Sequence, residues 1–571
     1  MAKNRSTKRR PKNHNSHKKT KKHSKSTIHS IPPAMIKKYD ELSPFELKDK
    51  LMTLATNPHK PMLNAGRGNP DFFNVFVREI FAKLQLLVMK ITETKKHLLH
   101  DLDIYPGKDE FNYDKLFTKG VRKWHKRHRD FFLDYMKFIK QRSLEQKKNY
   151  NHMLHDLLMS TIGCFYPVPP QLQPHLNFIS QDFMYNLVMG TNKGGTNNGG
   201  NEEGHKLKPT DFEFFATEGA AAGILYVFNT LKENFLLKAG DTIAIITPIF
   251  SPYLEMPRLA DYDLKIVELK GNPEKNYALD DDQIDKLRDK KVKGLFMVNP
   301  SNPGAFSLPK DNIDQIGKLI NTERPDIFVL SDSVYAPFAR KYNSFMLSCP
   351  KNTIEVYSLS KYFGTTGWRL GLVMMPKDTN LNKMVANVSA SEKKALHKRY
   401  ELASIDPEKL TFMDRIVFDS RQVAEAHVGG LSTPQQVLIG LFLFYHMHDT
   451  SRKYQHQLQD LLEKRMRVLY ADLKTQPRIV PEATDYYTLL DIPMITENLY
   501  GKDARHTLET KYSYLEFMFH LAKKYQTVLL PGKGFGTTNN WILRACVANL
   551  PAADYSKISK NIASCIHDFV G

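Results

Sequence analysis

An α/β fold with a mostly parallel sheet sandwiched by helices is what this sequence predicts, and three observations carry the prediction. Between about 210 and 376, short runs that are apolar throughout recur and close on polar or small residues: DTIAIITPIF (241–250), GLFMVNPSNPGAF (294–306), IFVLSDSVYAPF (327–338) and TIEVYSLSK (353–361). Unalternating runs of this kind are strands buried on both faces, as in a parallel sheet. Polar stretches of helix length separate them, which gives the crossovers such a sheet needs. Residues 75 to 165 carry apolar residues at helical spacing instead, as in DFFLDYMKFIKQ (130–141), and read as a helical insertion.

The chain divides accordingly. Residues 1–33 form a basic tail, expected to be disordered: its first thirty residues hold eleven Lys/Arg, no acid and little to bury. A solvated tail explains it best; a tether to nucleic acid or an anionic surface is the functional alternative. Residues 34–74 join a smaller α+β domain, beginning with a helix at SPFELKDKLMTLA, where Ser43 caps, Pro44 suits the first turn and Glu46 completes a capping box. The insertion occupies 75–169; its cluster RKWHKRHRD (122–130) is read as a solvated helix face or a subunit contact, with a nucleic-acid surface as the alternative. A large domain covers 170–400. Within it, the Gly/Asn-rich stretch 190–206 misses the phosphate-loop pattern, because His205 stands where the lysine belongs, and is read as a surface loop. Residues 401–571 hold a helical block, with a helix starting at Ser432 or Thr433 and Pro434, and then the rest of the smaller domain.

Bulk properties exclude several classes. The 571 residues suit two or three domains. Four cysteines, scattered and without a CxxC pair, argue against a disulfide scaffold and a zinc site. The longest apolar run, VLIGLFLFYHM (437–447), is too short to span a bilayer, and no secretory leader is evident, so a cytoplasmic protein is expected. The net charge of +21 owes about half its excess to the tail.

In parallel sheets ligands sit beyond the carboxyl ends of the strands, which singles out Asn302, Asp332, Tyr335, Ser358 and Lys361. A lysine there has its ammonium disfavoured by desolvation and becomes a Schiff-base nucleophile. Arg369 and Ser358 suit a phosphate, a carboxylate on another strand suits a protonated pyridine nitrogen, and an asparagine and a tyrosine suit a phenolate oxygen. Pyridoxal 5′-phosphate needs all of these at once.

The motifs TEGAAAGI, TPIFSPY, NPSNPGA, SDSVY, SLSKYFGTTGWRLG and LLPGKGFG before WILRACVANL stand in the order of the fold type I, aspartate-aminotransferase-like enzymes, which the sequence resembles over about 330 residues. The resemblance implies that Lys361 binds pyridoxal 5′-phosphate covalently and moves protons at the substrate Cα. It implies that Asp332 holds the pyridine N–H, that Tyr335 and Asn302 bond the ring oxygen, and that Phe250 stacks on the ring. Gly219, Ala220 and Ala221 would offer backbone N–H groups to the phosphate beside Ser358 and Arg369. Arg544 would take the substrate α-carboxylate, with backbone near Gly66 assisting. No metal is implied.

SPFELKDKL, LNAGRGNPDF, FYPVPPQL and the block EKKALHKRYELASIDPEKLTFMDRIVFDSRQVAEAHVGGLSTPQQV extend the likeness to the aspartate 4-decarboxylase branch, over roughly 35 to 571. That branch removes the β-carboxyl group of L-aspartate, giving L-alanine and carbon dioxide, and transaminates as a side activity. It implies Lys48 and Arg67 near the distal carboxylate, Tyr166 reaching the neighbouring subunit's phosphate, and a homo-oligomer of dimers, up to a dodecamer. Two departures stand out: Gly304 and Ala305 follow the second Asn-Pro where a hydroxyl is usual, and Ala220 and Ala221 leave the phosphate turn without one. The alternatives are an aspartate or aromatic-type aminotransferase, and, in another class, a basic-tailed binding protein on a retired fold.

Overall fold

The computed structural model describes residues 32–93, 105–164, 166–167, 171–189, 207–423 and 429–571. Residues 1–31 of the basic tail and the Gly/Asn-rich stretch (190–206) lie outside the described residues. The helix Pro44–Ala55 begins where the sequence places it, but Ser43 makes no side-chain capping bond, so the capping box with Glu46 does not form. Pro44 takes the first helical position, where its missing N–H costs nothing. Leu47, Leu51 and Ala55, at helical spacing, bury against the helix Tyr514–Tyr525 near the other end of the chain. β1 (Leu63–Asn64) then pairs in parallel with Thr527–Val528.

Among its described residues, the insertion has four α-helices, Val75–Thr92, Tyr113–Gly120, Lys126–Glu145 and Tyr150–Ile162. Asn74, Asn112 and Asn149 cap three of them, each side chain accepting a first-turn N–H. Their apolar stripes meet the helices Pro174–Met189 and Thr433–His448. The latter is apolar all round because it is buried all round. Its N-cap is Ser432, without a side-chain capping bond. The basic cluster at 122–130 lies on the surface: Arg122, Lys123 and Lys126 are exposed, Arg127 lies 4.3 Å over the Phe76 ring, and His128 pairs with Glu79 at 2.9 Å.

The central sheet contains β2 (Phe212–Thr217), β3 (Thr242–Thr247), β4 (Lys265–Lys270), β5 (Val292–Val298), β6 (Phe328–Asp332), β7 (Thr353–Ser358) and β8 (Gly371–Pro376), in the order β2-β8-β7-β6-β5-β3-β4. Only β8 runs against the rest. β3, β6 and β7 are buried along their whole length, which is why their sequences do not alternate. One apolar cluster, with Ala244, Leu295 and Ile316, packs on one side; a larger one, with Ile245, Phe296 and Phe228, runs on into the insertion helices.

A smaller unit follows. β9 (Tyr487–Asp491), β11 (Leu530–Pro531) and β12 (Ile542–Cys546) form an antiparallel sheet with β12 in the middle, while β10 (Thr527–Val528) is the partner of β1. Leu47 and Leu51 join Met466, Leu515 and Ile558 in its core, so the two ends of the sequence share one hydrophobic cluster. Among the described residues no helix is long and apolar enough to cross a membrane.

Candidate active site

The parallel strands release their carboxyl ends on one edge of the sheet, and a pocket of about 290 Å³ opens there under the smaller unit. Lys361, three residues past β7, reaches into it and donates from Nζ to the Gly68 carbonyl at 2.9 Å. The same carbonyl accepts the Tyr486 hydroxyl at 2.9 Å. Burial brings the Lys361 amine down to about 8, and the Arg544 and Arg369 charges push the same way. An amine so placed is partly neutral near physiological pH, which is what a nucleophilic lysine requires.

Asp332 ends β6. Its Oδ1 accepts the Val334 N–H at 3.1 Å and its Oδ2 the Tyr253 hydroxyl at 2.9 Å. Burial lifts this carboxyl to about 6 although both hydrogen bonds and the nearby Lys361 oppose the rise. A buried carboxylate with one cationic neighbour at a distance is set up to receive a further N–H⁺.

Arg544, in the central strand of the small sheet, is 1% exposed. It donates to the Gly66 carbonyl at 2.7 Å and to Asn302 Oδ1 at 3.3 Å, between the ring faces of Tyr487 (4.6 Å) and Phe535 (4.9 Å). Its Nε has no partner, and no carboxylate among the described residues stands within ion-pair reach of it. A fully buried guanidinium without an acid is costly unless a ligand supplies the anion.

At the other end, Gly219 caps the helix Ala220–Glu233 with φ +89°. A Cβ there would lie 2.6 Å from Arg369 Nη2, so only glycine lets the guanidinium approach the helix start. Ser358 Oγ donates to Ser360 Oγ at 2.9 Å, and Arg369 Nη1 to the Thr366 carbonyl at 3.0 Å. A helix N-terminus, two serine hydroxyls and an unpaired guanidinium make a phosphate cradle. With Lys361, Asp332 and the acid-free Arg544, this donor set fits pyridoxal 5′-phosphate and a carboxylate substrate together.

Ala220, Ala221, Phe250, Asn302, Asp332, Tyr335, Ser358, Lys361, Arg369 and Arg544 all line this one pocket. Gly219 and Gly66 adjoin it through Arg369 and Arg544. Three expected residues do not line it. Arg67 is exposed although its neighbours Gly66 and Gly68 point their carbonyls inward. Lys48 pairs with Asp49 at 3.2 Å and stands behind Phe45, its Nζ 5.6 Å from that ring. Tyr166 is 62% exposed. The structure adds residues that sequence reasoning missed: Phe45, Gly68, Asn69, Tyr253, Thr366 and Tyr487. Tyr253 had a signal, lying one turn beyond Phe250 inside TPIFSPY, whereas Tyr487 in DYYTLL had none.

Residues 201–562 match the family model of the class I and II aminotransferases. A bifunctional aspartate aminotransferase and L-aspartate beta-decarboxylase from a Pseudomonas species is 36% identical over 529 residues, spanning 91% of this chain and 94% of its own. The aspartate/prephenate aminotransferase of Thermus thermophilus is 26% identical over 186 residues, 32% of this chain and 46% of its own. In fold, the chain resembles the aspartate aminotransferase of Thermus thermophilus solved with maleate (TM-score 0.55, 15% identity, 94% of this chain and 100% of that one). It likewise resembles an aromatic aminotransferase of Pyrococcus horikoshii (TM-score 0.53, 16% identity, 90% and 98%).

Proposed function

This chain belongs to the class I and II aminotransferases, which use pyridoxal 5′-phosphate, and from that premise we infer that it removes the β-carboxyl group of L-aspartate to give L-alanine and carbon dioxide, with transamination of aspartate beside it. The observation that carries the reading is the near end-to-end correspondence with the Pseudomonas bifunctional enzyme. It includes the helical insertion and the block before Thr433, whereas the Thermus aspartate/prephenate aminotransferase matches only about a third of the chain.

In this reading each part of the pocket has one task. Bound pyridoxal phosphate supplies an electron sink for charge developing beside the substrate nitrogen. Lys361 tethers it and then carries the proton to and from the substrate Cα, its lowered basicity suiting both directions. Asp332, held by Tyr253 and Val334, keeps the pyridine nitrogen protonated. Tyr335 and Asn302 bond the ring oxygen and Phe250 covers the ring face. The start of the helix Ala220–Glu233, Ser358 and Arg369 hold the phosphate; Ala220 and Ala221 leave that task to backbone N–H groups. Arg544 pairs with the substrate α-carboxylate beside the Gly66 carbonyl.

The distal carboxylate is the group that leaves. A tight ion pair there would oppose its loss, so a weak hold and exclusion of water favour decarboxylation over release of a keto acid. Lys48, one ring behind the pocket wall, and Arg67, on the segment that crosses it, are the cations assigned to that end. Tyr166, exposed in the single chain, reaches the phosphate of a neighbouring subunit. The chain assembles as dimers and the dimers further into dodecamers.

The test is product analysis. Purified protein given L-aspartate and pyridoxal phosphate should yield alanine and carbon dioxide in equal amounts. Oxaloacetate formed only with an added keto-acid acceptor, and no carbon dioxide, would leave an aminotransferase alone.

A further inference from the structure

The polar groups on the substrate side of the pocket close into a circuit. Arg544 Nη1 donates to Asn302 Oδ1 at 3.3 Å, and Asn302 Nδ2 donates to the Tyr335 hydroxyl at 3.4 Å. The Tyr335 hydroxyl lies 2.9 Å from that of Tyr487, and the Tyr487 ring faces the Arg544 guanidinium at 4.6 Å. Tyr487, like Asn302, therefore touches both ends, Tyr335 by its oxygen and Arg544 by its ring face. It has little room to move. Its hydroxyl sits so close to Gly68 that a Cβ there would be 2.6 Å away, and the Tyr486 and Tyr335 rings meet it at steep angles, 4.9 and 5.5 Å between centroids.

The direction of the Arg544 and Asn302 bonds follows from the donors available, while in the tyrosine pair either hydroxyl can donate. A guanidinium only donates, so Asn302 turns its oxygen to Arg544 and its NH2 to Tyr335. If Tyr335 donated to Tyr487, its proton would be lost to a group in the pocket, and the Gly68 carbonyl beside Tyr487 already takes Lys361 and Tyr486. With Tyr487 donating, Tyr335 accepts twice and keeps its own proton for the pocket. Donation into a hydroxyl strengthens that hydroxyl as a donor. The ring meanwhile faces a buried cation that has no acid partner, where a cation–π contact is worth most.

We propose that Tyr487 is a positioning residue that serves both ends of the pocket: its hydroxyl strengthens Tyr335 as a donor to the cofactor ring oxygen, and its ring holds Arg544 ready for the substrate carboxylate. This rests on reading the pocket as a pyridoxal phosphate and aspartate site. Two substitutions separate the functions. Tyr487→Phe removes only the oxygen; Tyr487→Leu removes oxygen and ring face. The readouts are the pH at which the visible band of the holoprotein titrates, and the affinity for succinate, a four-carbon dicarboxylate that cannot react.

Tyr487→Phe should move the titration upward by about 0.5 pH unit, a fraction of one hydrogen bond, and leave succinate affinity within about twofold of wild type, the ring contact being kept. Tyr487→Leu should show the same upward move and bind succinate on the order of tenfold more weakly. In a Tyr335→Phe background, Tyr487→Phe should shift the band no further. An unchanged or lowered titration pH in Tyr487→Phe overturns the proposal, and so does undiminished succinate affinity in Tyr487→Leu. If the leucine variant fails to fold, the phenylalanine variant decides alone, since it alters one atom. Wild-type protein that gains no visible band with pyridoxal phosphate would sink the underlying reading as well, whereas an unmoved band in Tyr487→Phe sinks this proposal only.

Discussion

Lys361 and Asp332 are driven in opposite directions by the same burial: the ammonium becomes easier to deprotonate, at about pH 8, and the carboxyl harder, at about 6. Only the neutral amine attacks an aldehyde, so capture of pyridoxal phosphate by apoprotein should accelerate as pH rises through about 8 and then level off. Stopped-flow absorbance would show this, and a rate independent of pH between 6.5 and 9 would contradict it. Lys361→Ala should lower turnover by on the order of a thousandfold or more. For Asp332 the folded-state pKa lies above the ordinary value of 3.8, so its contribution favours the native apoprotein at low pH and is lost as pH rises from about 4 through 6. The loss is about 2–3 kcal/mol. Asp332→Asn should escape it, so the variant apoprotein gains stability relative to wild type between pH 4.5 and 7 in urea unfolding while binding pyridoxal phosphate more weakly. Tyr253→Phe removes a hydrogen bond to a charged group and should weaken cofactor retention by about tenfold.

What the sequence made legible at this scale was whatever sits at a strand end in an ordered motif: Asn302, Asp332, Ser358 and Lys361 are brought to one pocket by the parallel sheet itself. Tyr487 and Gly68 come from chain far away in sequence, and no local pattern announces that a sheet of the smaller unit will lower a tyrosine onto Arg544. The side-chain directions of Lys48 and Arg67 were equally beyond a linear reading.

At the scale of elements, one segment ties two residues of the pocket to the helix Lys453–Tyr470. Gly66 meets Arg544, Gly68 meets Lys361, and Asp71 is clasped by both Nη atoms of Arg465 at 2.9 and 2.7 Å. The segment then enters the first insertion helix, where Arg78 donates to the Asn74 carbonyl at 2.6 Å and to the Gly364 carbonyl at 2.7 Å. The turn after Lys361 is thereby pinned from the insertion. Its Gly364 has φ +64°, and a Cβ there would lie 2.2 Å from the Phe72 carbonyl. Arg78→Ala should lower thermal stability by about 1–3 kcal/mol, the cost of stranding those carbonyls, and raise the dissociation constant for pyridoxal phosphate. A variant with wild-type melting and wild-type cofactor affinity would show that the insertion does not brace the lysine loop. The strands and the insertion helices were readable because their periods differ so plainly. The capping box at Ser43 was not: the residue pattern is present, but the serine side chain makes no bond to the first turn.

At the scale of the molecule, the two ends of the chain build one core, with Leu47 and Leu51 beside Leu515 and Ile558, so the pocket is roofed by chain that precedes and follows the large sheet. Tyr166 and Arg369 are exposed in the single chain, and the proposed function completes the site with a second copy. Light scattering should return an even multiple of the protomer mass, and dilution that produces monomer should abolish turnover; a fully active monomer would contradict that assembly. Nothing at this scale was visible in composition, which excluded classes without choosing among enzymes of one fold.

The proposed function stands or falls on loss of the β-carboxyl group of aspartate. The measurement that bears on it most directly is simultaneous quantification of alanine and carbon dioxide from L-aspartate, with wild type and Lys361→Ala. Equal amounts of both products, lost in the variant, are the predicted result. Carbon dioxide absent while oxaloacetate accumulates with a keto-acid acceptor would contradict it.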